Sequence, residues 1–139
     1  MPVEIRIAAF GAVLLFVHVF ATIRAKTAQY GRAWNVSPRD EPVPPPNAMV
    51  GRLERAQANF AETFPIAVVA LLGVVIAERT SQWTAIGGWL WLGARIAYLP
   101  AYAFGVTGVR TLLYTASIAG LAICTSMTEL LRTLRTAQA

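Results

Sequence analysis

The side chains of this sequence that could do chemistry lie inside or at the ends of apolar stretches. They fall into groups whose members are three, four or seven residues apart, a spacing that places side chains on one face of a helix. The groups are Arg55, Asn59 and Glu62; Arg95, Tyr98 and Tyr102; Arg110 and Tyr114; and, by itself, Arg24. Arginine binds carboxylates through paired hydrogen bonds, and Tyr and Asn add neutral ones. The composition of these groups therefore favours an anionic ligand.

Positive charge exceeds negative charge in these groups, since Glu62 is their one acidic member. Arg95 lies about 18 Å along its apolar stretch at ~1.5 Å per residue, just past the middle of a bilayer. A charge at that depth costs a few kcal/mol, so Arg95 should face the protein interior and have a partner, for which Glu62 is the candidate. The alternative is a set of structural ion pairs together with arginines that extend to the membrane surface.

The elements that must position these groups are apolar helices. Of the 139 residues, 56% are hydrophobic and 14% are charged, against about a quarter charged in soluble domains. Four apolar stretches have the ~20 residues that a membrane-crossing helix needs. They cover about residues 3–23, 55–77, 83–104 and 110–131. The sequence predicts an all-α fold: one domain over residues 1–139, an integral membrane four-helix bundle with up-down topology.

Up-down topology brings the polar groups to one side of the membrane, because they lie at the end of the first stretch, the start of the second, toward the end of the third and at the start of the fourth. The first connection, Lys26–Glu54, contains five prolines and is predicted to be extended. The side holding it carries seven Lys and Arg residues against four on the other, which predicts a cytoplasmic first loop with both termini opposite. The near absence of lysine favours a bacterial inner membrane. Small residues recur every fourth position at Gly93, Ala97, Ala101 and at Ala116, Gly120, Cys124, a pattern of close helix packing.

Other classes of ligand are disfavoured. The net charge of +5 could indicate nucleic-acid binding, but the arginines flank or interrupt apolar stretches instead of lining a soluble face. No nucleic-acid partner is expected. With Cys124 and His18 as the sole cysteine and histidine, no metal-ligand spacing exists and no metal is expected.

The second stretch resembles a known family. Its sequence RAQANFAE at residues 55–62, followed by Phe64 and Pro65, is similar to the R-A-x-x-N-x-x-E signature of the MAPEG family, the membrane-associated proteins of eicosanoid and glutathione metabolism. It is closest to the glutathione-conjugating members. The stretch from Arg95 to Tyr102 resembles the third helix of the family, Arg110–Tyr114 the start of the fourth, and Arg24 the end of the first. The resemblance covers nearly the whole chain.

The resemblance implies a homotrimer with glutathione, as co-substrate, bound between neighbouring subunits in the cytoplasmic half of the membrane. Glu62 would take the ammonium group of glutathione and arginines its carboxylates. Arg110 would be the catalytic residue, because a nearby cation stabilises the thiolate nucleophile. The residues implied to hold glutathione are Arg24, Arg55, Asn59, Glu62, Arg95, Tyr98, Tyr102 and Tyr114.

Three functions follow for comparison. The first is a glutathione transferase or peroxidase-like enzyme whose lipophilic electrophile approaches from the membrane lipids. The second is a non-catalytic lipid-binding or scaffold protein of the same fold. The third, a small multidrug transporter, needs an intramembrane carboxylate in the first stretch, where none follows Glu4.

Overall fold

The computed structural model describes the backbone of residues 1–137 and the side chains of residues 1–126. Within that part the chain contains helices and no strands, which confirms the all-α prediction. The helices are α1 (Val3–Tyr30), α2 (Arg32–Val36), α3 (Ala48–Ile76), α4 (Gln82–Ala103) and α5 (Thr107–Ala137). Each of the four long helices overlaps one of the four predicted stretches, and the five-residue α2 is an addition.

Three of these helices are long and apolar enough to cross a membrane by length and composition: α1, α3, and α5 over Thr107–Ser126. Helix α4 is not among them, although the sequence predicts that it crosses. Its apolar run is interrupted by Arg95 and contains Trp, Tyr and Gly residues, which keep its mean hydropathy below that of the three other long helices. Four crossings therefore stay a prediction.

The first connection is shorter than predicted. Helix α1 continues past residue 23 to Tyr30, and α3 begins at Ala48 instead of residue 55. The expectation of a loop over Lys26–Glu54 is wrong at both ends, because Lys26 lies in α1 and Glu54 in α3. The two side chains form a 2.5 Å ion pair between these helices.

The proline-rich segment is tied to the end of α1 by side chains. The amide of Gln29 donates to the Pro45 carbonyl at 3.0 Å, and its oxygen accepts from the Asn47 backbone N–H at 2.9 Å. Asn47 then caps α3 by accepting from the Val50 N–H at 2.9 Å. A capping side chain satisfies one of the free N–H groups of the first turn, which explains why α3 starts here.

Contacts between helix ends establish the up-down order. The Lys26–Glu54 ion pair joins the end of α1 to the start of α3, and Thr84 in the first turn of α4 donates to Glu4 in the first turn of α1. We call the end of the bundle where α1 and α4 end and α3 and α5 begin the first-loop end. The opposite end, where α1 and α4 begin, is the N-terminal end.

Helices α4 and α5 pack most closely in the N-terminal half of α4. A Cβ atom built on Gly87 would lie 2.6 Å from the Gly120 carbonyl oxygen, and one built on Gly120 would lie 2.5 Å from the Gly87 carbonyl oxygen. The close approach therefore requires glycine at both positions. Gly120 belongs to the predicted small-residue pattern, whereas Gly93, another member, has nothing within 4 Å of its Cβ position.

Candidate functional site

A cavity of about 250 Å³ opens at the first-loop end between α3, α4 and α5. It is lined by polar and aromatic side chains from all three helices. They are Asn59, Tyr98, Tyr102, Arg110, Thr111 and Tyr114. Five of these six belong to the nine site residues expected from the sequence. Thr111 is not among the residues expected from the sequence. Its position directly after Arg110 at the start of α5 was the signal that could have indicated it.

Asn59 is held in place by Arg95. One terminal nitrogen of Arg95 donates to the Asn59 side-chain oxygen at 2.7 Å, and the other donates to the Thr63 hydroxyl at 2.8 Å. Thr63 in turn donates to the Asn59 carbonyl at 2.8 Å. Asn59 and Thr63 are four residues apart on α3, so one guanidinium binds both. Charge-assisted bonds of this kind are shorter and stronger than neutral ones.

Arg95 itself lies behind the cavity and does not line it. Its side chain is 0% exposed. The expectation that Glu62 is its partner is wrong, because both terminal nitrogens bind neutral side chains while Glu62 is exposed. Thr63, the partner that the sequence analysis missed, lies one helical turn after Asn59 on the same face.

The charge of Arg95 is surrounded by aromatic rings. Its guanidinium carbon lies 5.1 Å from the ring centre of Tyr114, 5.5 Å from that of Tyr98 and 5.9 Å from that of Phe60. Ring faces stabilise a cation without neutralising it. Among the described side chains no carboxylate forms an ion pair with Arg95. Its guanidinium lies against Tyr98 and Tyr114, two of the tyrosines that line the cavity.

Arg110 is the cation that lines the cavity. It lies in the first turn of α5 with its guanidinium 5.0 Å from the ring centre of Tyr102, which in turn packs on Tyr98 at 5.4 Å between ring centres. Among the described residues no hydrogen bond or ion pair engages the Arg110 side chain, so its N–H donors are available to a ligand. The N-terminus of a helix also carries a partial positive charge. Arg110 and the start of α5 therefore both favour an anion in this cavity.

The remaining three expected site residues do not join this cavity. Arg24 on α1, and Arg55 and Glu62 on α3, are exposed and do not line it. The predicted shared face of α3 is thus divided, with Asn59 turned toward α4 and the other two outward. In the single chain the structure brings five expected residues together around the cavity, places Arg95 behind it and leaves three on the outer surface. The binding roles of all nine stay predictions.

The comparison with protein families agrees with this architecture. The model of the MAPEG family matches residues 6–128, nearly the whole chain. Among curated proteins, none matches the sequence. The matched range contains the helical residues around the cavity as well as the signature at residues 55–62. The chain therefore belongs to the MAPEG family of membrane proteins of glutathione and eicosanoid metabolism.

Proposed function

We propose that this protein is a membrane-bound glutathione transferase, or a peroxidase of the same type, in which Arg110 stabilises the glutathione thiolate. The observation that carries the proposal is the cavity at the first-loop end, where the guanidinium of Arg110 packs on Tyr102 and has no hydrogen-bond or ion-pair partner among the described residues. Membership of a family that includes glutathione transferases supports it. Some members are not catalytic, so activity must be measured.

The chemistry needs a thiolate, because the thiolate and not the thiol is the nucleophile. Arg110 would face the sulfur, and the buried charge of Arg95 would add positive potential from behind the tyrosine rings. Both favour loss of the thiol proton to water. The thiolate then forms a bond to the electrophilic carbon of an apolar acceptor, whose leaving group departs with the bonding electron pair. Asn59, fixed by Arg95, would orient the peptide without reorganising.

The size of the cavity supports a site that is completed by a second copy of the chain. Its volume of about 250 Å³ is below the ~300–1,000 Å³ typical of small-molecule sites. Glutathione would therefore extend out of it toward neighbouring surface, where Arg24, Arg55 and Glu62 are exposed. Charged groups that face lipid cost a few kcal/mol, so covering this surface with another subunit is favourable. We accordingly propose a homotrimer with glutathione between subunits.

We also propose that α4 crosses the membrane, which gives four crossings. Its 22 residues extend about 33 Å at ~1.5 Å per residue, enough for a hydrocarbon core of ~30 Å. Arg95, the charge that lowers its hydropathy, is 0% exposed and does not face lipid. The excess of Lys and Arg on the side of the first loop makes that side cytoplasmic, with a bacterial inner membrane as the proposed location.

Glutathione binding and conjugation by the purified protein test the proposal. In lipid nanodiscs the wild type should bind glutathione and conjugate it to an aryl halide. Arg110→Ala should lower kcat about 100-fold, the loss typical of removing one charge-stabilising group, and should raise the pKa of the bound thiol. Arg32→Ala is the matched control, since Arg32 is an exposed arginine of α2 on the same side of the membrane. If the wild type does not bind glutathione, the proposal is wrong.

The second candidate function is lipid binding without catalysis. An apolar groove of about 370 Å³ runs between α1 and α4 and is suited to a hydrocarbon chain. It is lined by Phe10, Val13, Leu14, Val17, Trp89, Leu92 and Ile96. Tight lipid binding with no conjugation, in protein whose Arg110 is intact, would favour this function.

A further inference from the structure

The turn between α4 and α5 sets the position of Arg110 relative to Tyr102. Three residues, Phe104 to Val106, separate the two helices. The Val106 N–H donates to the Ala101 carbonyl at 3.0 Å and the Gly105 N–H to the Tyr102 carbonyl at 3.1 Å. This pair of bonds is a Schellman motif, in which a residue with positive φ follows the helix end. Gly105, with φ +75°, is that residue.

The last four carbonyls of a helix lack partners within the helix, and α4 satisfies its own in two ways. The turn supplies partners for three of them, since Phe104 N–H also donates to the Pro100 carbonyl at 3.0 Å. The fourth, that of Ala103, accepts from a terminal nitrogen of Arg52 at 3.3 Å. Arg52 belongs to α3, so this bond joins a third helix to the turn. A cation at the negative end of a helix is also favourable electrostatically.

Arg52 fits closely against the turn. A Cβ atom built on Gly105 would lie 2.8 Å from the guanidinium carbon of Arg52, so the glycine makes room for it. Arg52 is half-buried and precedes Asn59 by seven residues, which places both on the same face of α3. Asn59 is bound to Arg95 of α4, and Arg52 is bound to the end of α4.

We propose that Arg52 is a positioning residue for Arg110. By holding the α4–α5 turn against α3, it fixes the first turn of α5 and with it the guanidinium that faces the cavity. The sequence alone predicts no role for Arg52 beyond that of a positive charge in the first loop. This inference rests on the proposed function for its catalytic consequence, but the contact between Arg52 and the turn can be tested without it.

The experiment compares wild type, Arg52→Ala and Arg52→Lys in nanodiscs, with Arg32→Ala as the matched loss of an exposed arginine. Hydrogen exchange of the amides from Phe104 to Arg110 is measured first. Arg52→Ala should speed it about tenfold, the loss expected for one hydrogen bond from a charged donor. Arg52→Lys should restore most of the protection, because one ammonium hydrogen bond can replace the single bond that Arg52 makes.

Kinetics then separate positioning from general loss of structure. Arg52→Ala should lower kcat about tenfold and move the pH profile of kcat upward, since a misplaced Arg110 stabilises the thiolate less. KM for glutathione should change less than about threefold, because Asn59 and the tyrosines keep their partners. Gly105→Ala should slow turnover less in the Arg52→Ala background than in wild type, because the clash with the guanidinium is then gone.

Unchanged exchange in the turn of Arg52→Ala would overturn the proposal whatever the activity. Faster exchange with kcat, KM and pH profile all unchanged would overturn it too, because the turn would then not position Arg110. If the wild type fails to bind glutathione, the proposed function falls by itself. Exchange of the turn then decides alone whether Arg52 holds it.

Discussion

The two ends of the helical bundle both bury an ionisable side chain, and they satisfy it in different ways. At the N-terminal end, Glu4 is 2% exposed and accepts a 2.7 Å hydrogen bond from Thr84. Thr84 belongs to the first turn of α4, whose partial positive charge suits a carboxylate. Toward the first-loop end, Arg95 is bound by neutral oxygens and aromatic rings. The negative charge thus meets a complementary helix end, whereas the positive charge has no anionic partner among the described residues.

The helix packing and the cavities around Glu4 and Arg95 also differ. At the N-terminal end Gly87 and Gly120 bring α4 and α5 into backbone contact. The described residues that line a cavity of about 280 Å³ beside Glu4 include no cation. At the first-loop end the helices leave a cavity whose lining includes Arg110. Burial of a charge therefore does not by itself indicate a binding site in this bundle. We expect a site where a buried charge without an anionic partner lies beside a cavity lined by a second charge that has no hydrogen bond or ion pair among the described residues.

The largest effect on stability is expected from filling the glycine contact of the N-terminal end. A Cβ on Gly120 would lie 2.5 Å from the Gly87 carbonyl oxygen and 2.8 Å from the Trp91 backbone nitrogen, so backbone atoms would have to move. Gly120→Ala should lower the free energy of unfolding by about 3 kcal/mol, at the upper end for overpacking. Unfolding in detergent measures this. Gly93→Ala, with open space at its Cβ position, is the control, and equal losses in both variants would contradict the packing described here.

The comparison also shows what the sequence could and could not predict. Helical spacing within apolar stretches predicted the four long helices. Periodicity and up-down order together also predicted that five side chains would lie at a similar depth in the bundle, and the structure places them around one cavity: Asn59, Tyr98, Tyr102, Arg110 and Tyr114. Spacing does not say which way a helix face turns. Arg55 and Glu62 share the spacing of Asn59 but lie on its outward side. That rotation depends on packing against α4, which no local pattern encodes.

Two other features were predicted wrongly from the sequence: where helices α1 and α3 end and begin, and which side chains bind Arg95. The prolines predicted a long extended connection. In the structure α1 and α3 extend into the predicted connection and shorten it, and the Lys26–Glu54 ion pair and the Asn47 cap stabilise these added turns. The sequence predicts Glu62 as the partner of Arg95, whereas in the structure Arg95 donates to Asn59 and Thr63. Both outcomes depend on residues from different helices that meet only in the folded chain. An asparagine after a run of prolines was a signal for the start of α3 that could have been used.

A smaller effect, confined to ligand binding, is expected at Arg95. Arg95→Met removes a buried charge, which favours stability in a membrane, but leaves Asn59 and Thr63 without their donor, which opposes it. The free energy of unfolding should therefore change by less than about 1 kcal/mol, because the two contributions offset each other. Glutathione affinity should fall about 20-fold, because Asn59 is no longer fixed and the positive potential behind the cavity is lost. Calorimetric titration and unfolding measure both.

Thr63→Val is the matched control for this variant. It removes one of the two partners of Arg95 and leaves the charge and the bond to Asn59 in place. Its glutathione affinity should stay within about threefold of wild type, because the cavity keeps its lining. If Arg95→Met binds glutathione as tightly as wild type, or unfolds with a loss above about 3 kcal/mol, then Arg95 serves packing and not the cavity.

The smallest effect is expected at the buried charge of the N-terminal end. In Glu4→Gln the amide oxygen can still accept from Thr84, so only the attraction between the carboxylate and the start of α4 is lost, about 0.5 kcal/mol of unfolding free energy. Glutathione affinity should not change, because Glu4 lies at the end of the bundle away from the cavity. Thermal unfolding and calorimetric titration of the same preparation check both values. A threefold or larger loss of glutathione affinity would show that the two ends of the bundle are coupled. The proposed contrast between Glu4, which is paired with a helix end, and Arg95, which is proposed to act on the cavity, would then be wrong.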